Sequence, residues 1–258
     1  MTEAEAAERL AEAGLADARR EARKLTRIAE NRGVSLAELA ARRAAGEPMS
    51  HILGYRDFWE HRFEVTADVL DPRPDTETLV AAALEAPFSR VLDLGTGSGC
   101  IVLSLLAARN HATGLGTDLS EAALAVAGRN ARRLGVQDRA ALIRSDWWQA
   151  VTGSFDLIVS NPPYIAADEM AALQPELSYE PRMALTDEGD GLSAYRVLVS
   201  GAPAHLAPSG RLMVEIGPTQ GAEVAAMFEA AGLESVEIRP DIDGRDRVVI
   251  GTMVPTKR

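Results

Sequence analysis

Four consecutive residues, Asn161-Pro162-Pro163-Tyr164, carry the strongest chemical signal in the chain. They follow an apolar run, Phe155-Asp156-Leu157-Ile158-Val159-Ser160, that reads as a buried strand. Two prolines in a row can neither continue a helix nor donate to a strand ladder, so the chain must leave the sheet here in an extended, fixed shape. Asn161 therefore stands at the carboxyl end of a strand, where open α/β sheets place their ligands. Its side-chain carbonyl and the Pro162 carbonyl can point the same way and accept both hydrogens of one NH2 group. Tyr164 can lay its ring beside the group so held. The simpler reading is a turn, since Asn and Pro are ordinary turn residues. The residues upstream decide between the two.

Upstream, Val91-Leu92-Asp93-Leu94 reads as a strand, Gly95-Thr96-Gly97-Ser98-Gly99 as a turn, and Cys100 to Ala108 as a helix. Glycines let a ligand approach the backbone closely, and the helix start offers free N–H groups. A glycine turn alone is a weak signal, and here Cys100 occupies the last position of the dinucleotide fingerprint. Asp93 is more telling. A carboxylate beside a pyrophosphate repels it, whereas the tail of S-adenosylmethionine carries an ammonium group that an acid can meet. Asp118 ends the next strand, the position that bonds ribose hydroxyls. Asp146 and Trp147 follow a third strand, with the acid placed for an adenine amine and the indole for its face. Four such sites at successive strand ends, in order, point to S-adenosylmethionine rather than a nicotinamide dinucleotide.

The elements that must position these residues are legible in outline. Residues 1–50 are rich in Ala, Leu, Glu and Arg with no proline before Pro48, which predicts short helices at 3–13, 16–32 and 35–45. Thr2 with Glu5 and Ser35 with Glu38 have capping-box spacing, and Gly14, Gly33 and Gly46 stand at the expected helix ends. Residues 51–75 read as a β-hairpin followed by a stiff connector, Asp71-Pro72-Arg73-Pro74. Asp75 or Thr76 is placed to cap a helix at 76–86. Residues 76–258 then alternate strand and helix, with strands at 91–94, 112–117, 140–144, up to Asn161, and 211–216. Helices at 121–134, 190–207 and 219–231 lie between or after them, 165–188 is a long loop, and strands at 234–239 and 246–253 close the chain. This order predicts a doubly wound α/β sheet with an antiparallel edge strand, preceded by a small helical domain.

Composition removes several function classes. With 47% hydrophobic residues the chain can bury a full core, and no apolar run is long enough to span a membrane. The start, Met1-Thr2-Glu3-Ala4-Glu5, lacks a signal-peptide pattern, so a cytoplasmic protein is expected. The single Cys100 excludes an internal disulfide, and the four histidines have no metal-like spacing, so no metal site is expected. A net charge of -11 argues against direct nucleic-acid binding. Residues 1–50 hold nine Lys/Arg and nine Asp/Glu, so the acidic excess lies entirely in the remainder.

The combination of motifs resembles the release-factor glutamine methyltransferase (HemK/PrmC) group of class I methyltransferases. The resemblance is carried by Gly54-Tyr55-Arg56, Phe58-Trp59, Pro72-Arg73-Pro74 with Thr76-Glu77, the run from Val91 to Gly99, and Ser145-Asp146-Trp147. It continues through Val159 to Ile165, Tyr179-Glu180-Pro181, Asp190-Gly191-Leu192 and Glu215-Ile216-Gly217, and spans roughly residues 47 to 250. Asp71, Asp75 and Glu60 depart from the family's usual residues. The resemblance implies a Rossmann-like methyltransferase domain joined by a hairpin to a helical domain that docks substrate. It also implies a reaction: methyl transfer from S-adenosylmethionine to the glutamine amide of the Gly-Gly-Gln motif in peptide chain release factors. Catalysis would rest on Asn161, Pro162 and Tyr164, with Pro163 completing the substrate site. The cofactor would be held by Asp93, Gly95, Thr96, Gly97, Ser98, Gly99, Asp118, Asp146, Trp147 and Asn161. The alternative is an adenine-N6 methyltransferase acting on nucleic acid, because the same four-residue motif can hold an exocyclic NH2.

Overall fold

The computed structural model describes residues 1–173 and 175–254. Gln174, within the expected 165–188 loop, and the last four residues of the expected 76–258 domain lie outside the described residues. The chain opens with α1 (Glu3–Glu12), α2 (Ala18–Arg32), α3 (Leu36–Ala44) and α4 (Met49–Leu53). Thr2 and Glu5 form the full reciprocal capping box, Ser35 accepts from the Glu38 N–H, and Gly33 ends α2 in the left-handed region. Leu10, Leu25, Ile28 and Leu39 form an apolar cluster of their own. Ile52 and Leu53 of α4 join that cluster, so the helical packing continues past residue 50.

The hairpin follows as β1 (Tyr55–Phe58) and β2 (His61–Glu64), with Tyr55 paired to Glu64 and Phe58 to His61. Phe58 and Phe63 are buried in the main core, so the hairpin is held by the larger domain. Asn130 fixes it further: its Oδ1 accepts from the Glu64 N–H at 2.7 Å, and its Nδ2 donates to Glu64 O at 3.0 Å and to Ser98 O at 2.9 Å.

The main sheet has seven strands: β3 (Arg90–Leu94), β4 (Thr113–Asp118), β5 (Ala140–Arg144), β6 (Phe155–Ser160), β7 (Leu206–Glu215), β8 (Leu233–Pro240) and β9 (Asp246–Met253). Their order is β5-β4-β3-β6-β7-β9-β8. The first five pair in parallel. Antiparallel pairing is confined to one edge, where β9 pairs with both β7 and β8. The reversed strand is β9, one in from the edge. Helices α5 (Glu77–Leu84), α6 (Cys100–Ala108), α7 (Glu121–Leu134), α9 (Ser193–His205) and α10 (Gly221–Ala230) complete the layers, with α8 (Arg182–Leu185) a single turn inside the long loop. Two cores cover the sheet, one built on Val91, Val102, Leu105 and Val159, the other on Leu92, Ile158, Tyr195 and Phe228. Strands buried on both faces read as continuous apolar runs, which is why 91–94 and 155–160 were legible.

Two expectations are corrected. Neither Asp75 nor Thr76 caps α5: a 3-10 turn over Pro74–Thr76 leads into it, and Thr76 makes no side-chain cap bond. The Thr76 hydroxyl is engaged with Asn161 instead. The fifth strand begins at Leu206 rather than near 211, because an irregularity between its pairings with Phe155 and Leu157 absorbs the turn residues Pro208 to Gly210.

Candidate active site

The strand order reverses direction between β3 and β6, which run out side by side with Leu94 paired to Ser160. A crevice must open outside their carboxyl ends. Ser160 Oγ donates to Leu94 O at 2.6 Å and ties the two ends together. A cleft of about 510 Å³ lies there. Its wall includes Gly95, Thr96, Gly97, Ser98, Asp118, Asp146, Trp147, Asn161 and Pro163, together with Pro181 to Ala184 of the long loop. The strand-end residues picked from sequence thus converge on one cavity, although Asp93, Gly99, Pro162 and Tyr164 do not line it.

The glycine turn is braced from beneath. Asp93 is fully buried, and its Oδ2 accepts from Thr96 Oγ1 at 2.7 Å and from the Val102 N–H at 3.4 Å. Its Oδ1 is buried without a partner. Burial pushes the Asp93 carboxyl up to about 7, against the lowering effect of the Thr96 and Val102 bonds. Gly116 on β4 lets this turn pack closely, since a Cβ there would stand 2.8 Å from Leu142 and 3.0 Å from Thr96 Oγ1. Asp118 accepts from the Gly97 N–H through Oδ2 and from the Ser120 N–H through Oδ1, each at 2.9 Å. It therefore holds the turn and borders the cleft at once, and burial raises its pKa.

Asp146 is exposed at the cleft, and Trp147 has a φ of 48°, a left-handed conformation that a bulky side chain adopts only under constraint. The constraint is Ser145: its hydroxyl donates to Trp147 O at 2.7 Å and accepts from the Ala150 N–H at 3.0 Å.

Asn161 donates from Nδ2 to Thr76 Oγ1 at 3.2 Å, and its Oδ1 is buried without a partner. A buried amide oxygen with no donor is costly unless something supplies one. Pro162 is buried and Pro163 lines the cleft. Tyr164 is not brought to the cleft wall: its ring lies beside Gly217, and its carbonyl accepts from Gln220 Nε2 at 3.0 Å. Gln220 also holds Gly191, whose position at φ 74° has no room for a Cβ, because Tyr164 O would be 2.4 Å away.

The connector ties the site together. Arg73 pairs with buried Glu180, Glu180 accepts from the Asp71 N–H at 3.3 Å, and Glu77 accepts from the Trp59 N–H at 2.8 Å. Asp71 and Asp75, the two departures here, are both engaged: Asp71 lies 3.6 Å from Arg56, and Asp75 lies 3.1 Å from Arg247. Glu215, fully buried at the end of β7, lies against the Thr76 hydroxyl. Sequence reasoning read Thr76 only as a possible helix cap and gave Glu215, Ser145 and Asn130 no role in the site. Glu215 carried a usable signal, an acid at the end of an apolar strand, the same signal that singled out Asp93 and Asp118. Among the described residues no cluster of metal-ligating side chains occurs.

A mostly parallel seven-stranded sheet with one reversed strand and a glycine-turn cleft at its switch point is the build of a class I methyltransferase. The Methyltransferase small domain model matches residues 67–235. Two solved structures share the fold: the hMettl16 catalytic domain in complex with MAT2A 3′UTR hairpin 6 and a methyltransferase from Pyrococcus furiosus. The first has TM-score 0.63 and 17% identity, over 84% of this chain and 81% of that one; the second has 0.57 and 18%, over 74% and 88%. Closer in sequence is the release factor glutamine methyltransferase of Cereibacter sphaeroides, 54% identical over 93% of both chains. That of Rhodospirillum rubrum is 51% identical over 84% of this chain and 68% of its own. The chain belongs to the release factor glutamine methyltransferase family, and its methyl donor is S-adenosylmethionine. The residues fit that donor chemically: the Asp118 carboxylate and the Trp147 indole border the cleft, and Asp93, buried behind the glycine turn, has one carboxylate oxygen without a partner.

Proposed function

We propose that this protein methylates the side-chain amide nitrogen of the glutamine in the Gly-Gly-Gln motif of peptide chain release factors, giving N5-methylglutamine. The single observation that carries the assignment of the acceptor site is the Asn161 side-chain oxygen, buried without a partner at the wall of the cleft. An amide nitrogen is a poor nucleophile because its lone pair is delocalised into its carbonyl. S-adenosylmethionine supplies a methyl group already activated on a sulfonium. The protein's task is then to orient and desolvate the acceptor, and orientation can contribute on the order of 7–11 kcal/mol. Asn161 Oδ1 accepts one amide hydrogen, which aims the nitrogen and raises its electron density, and the carbonyl of Pro162, next in the chain though off the described cleft wall, is the candidate acceptor for the other. The two prolines hold this geometry with little freedom to lose. Asp93, Asp118, Asp146 and Trp147 hold the donor, and the proton leaves to water after transfer.

The same reading gives residues 1–50 the role of docking the release factor, through a surface the small amide cannot itself provide. It places the protein in the cytoplasm with its substrate. Among the described residues no helix is long and apolar enough to cross a membrane. The adenine-N6 alternative is not favoured, since the charge of -11 repels a phosphate backbone. Transfer of labelled methyl from S-adenosylmethionine, offered release factor, DNA and RNA in parallel, tests the assignment. Label confined to the glutamine of the release factor is expected, and label on a nucleic-acid adenine would replace it.

A further inference from the structure

An asparagine side chain presents an acceptor on one side and a donor on the other, in nearly the same shape. Only one of its two orientations can receive a substrate N–H. In the structure the Asn161 Nδ2 is spent on Thr76 Oγ1 at 3.2 Å, and Oδ1 is left unpartnered. Thr76 is buried, so its single hydroxyl proton needs an acceptor, and it lies against the Glu215 carboxylate. Glu215 reaches this spot by register: Ser160 on β6 pairs with Val214 on β7, so Asn161, the first residue beyond β6, stands beside Glu215, the last residue of β7, which still pairs with Val248. An ionised carboxylate has no proton to give. The three groups can then run only one way, from the Asn161 NH2 to the Thr76 oxygen and from the Thr76 O–H to Glu215.

We infer that Thr76 and Glu215 are positioning residues for methyl transfer, holding the Asn161 side chain with its oxygen rather than its NH2 toward the substrate amide. The inference rests on the reading that Asn161 clamps the glutamine amide. It adds a consequence of its own. A protonated Glu215 can donate to Thr76, and Thr76 can then donate to Asn161 Oδ1, which turns the NH2 toward a substrate that also presents a donor. Burial pushes Glu215 up to about 7, opposed first by the Thr76 bond and then by Arg247. Asp75 raises it and Arg73 lowers it from the connector, Tyr164 and Cys100 also lie within its field, and the Tyr195 hydroxyl donates to the Glu215 backbone carbonyl. Arg247 is itself held by Asp241 at 3.2 Å and Asp75 at 3.1 Å. The competent orientation is therefore depleted in acid and gained as pH rises through about 7.

The test measures kcat and KM for a Gly-Gly-Gln peptide, and the affinity for S-adenosylmethionine, in the full chain across the neutral range. Thr76→Val keeps the shape and removes the hydroxyl. It should lower kcat by roughly tenfold to a hundredfold, with S-adenosylmethionine affinity unchanged. Thr76→Ser should restore most of the loss. Glu215→Gln offers both a donor and an acceptor at every pH, so it should give a reduced kcat that no longer rises between about pH 6 and about pH 8. Unaltered kcat in Thr76→Val with unaltered cofactor affinity would overturn the inference, as would an intact acid limb in Glu215→Gln. Absence of transfer by the unsubstituted chain would instead remove the glutamine reading, and the inference with it.

Discussion

At the scale of single residues, the proposed function assigns the acceptor to Asn161 and the donor to the acids at the strand ends, and that division is measurable. Asn161→Ala removes the side-chain oxygen proposed to hold the acceptor and leaves the strand-end acids in place. It should retain S-adenosylmethionine affinity while kcat falls by about a hundredfold or more, as when a single oriented hydrogen-bond partner is deleted from other active sites. Asp118→Ala should do the reverse and weaken cofactor binding at least about tenfold, since a hydrogen bond to a charged group contributes roughly 1.5–3 kcal/mol. That loss includes the Gly97 N–H, which Asp118 also holds. Isothermal calorimetry on both folded variants separates the two roles, and unchanged affinity in Asp118→Ala would take that residue out of the site. Asp93 gives a proton signature. Its carboxyl is raised to about 7 by burial, so the stability it contributes is full below about pH 4 and lost as pH rises through about 7. An arriving ammonium reverses the preference and favours the ionised form. Cofactor binding near pH 6.5 should therefore release a proton, seen as a dependence of the binding heat on buffer ionisation, and Asp93→Asn should abolish it. The acids at the ends of β3 and β4 were legible in sequence because each interrupts or closes an apolar run. Thr76 was not, because its hydroxyl serves a residue 85 positions away and nothing local marks that partner.

At the scale of elements, the connector from Asp71 to Glu77 explains why a short run of Pro, Arg, Thr and Glu stands so far from the glycine turn. Each polar residue ends on a different piece of the site: Arg73 on the long loop at Glu180, Thr76 on Asn161, and Glu77 on the hairpin turn at Trp59. Trp59 sits at φ 53°, and the bond from its N–H to Glu77 helps hold that turn. Glu77→Ala should lower unfolding free energy by about 1–3 kcal/mol, the cost of leaving a part-buried N–H unsatisfied. Denaturant titration reads this as a lower midpoint at unchanged slope, and an unchanged midpoint would show that the bond carries no weight. The alternation of strand and helix was plain from apolar runs and glycine turns. The start of β7 and the lead-in to α5 were not, because an irregular pairing and a 3-10 turn are set by tertiary contacts rather than by local pattern. The one-turn helix α8 within the long loop was missed for the same reason.

At the scale of the whole molecule, the helical unit has its own apolar cluster and meets the catalytic domain through polar ties. Arg43 pairs with Glu176 at 2.7 Å, and the Tyr179 hydroxyl donates to Ala45 O at 3.1 Å, both on the loop that carries the cleft wall. Since Ile52 and Leu53 pack with α1 to α3, a truncation that tests the docking role is placed after Leu53 rather than after residue 50. A chain beginning there should still bind S-adenosylmethionine and methylate a short Gly-Gly-Gln peptide, yet modify an intact release factor much more slowly. Equal losses on peptide and protein, in a chain shown to be folded, would mean that the helices only cover apolar surface. That comparison presupposes the reaction itself, which one measurement addresses most directly. Intact release factor is incubated with the unsubstituted chain and methyl-labelled S-adenosylmethionine, and the product is mapped by mass spectrometry, with Asn161→Ala as the control. The account predicts one added methyl group on the Gly-Gly-Gln glutamine amide, nearly absent with the variant. Methyl on any other residue, or equal labelling by Asn161→Ala, would contradict it.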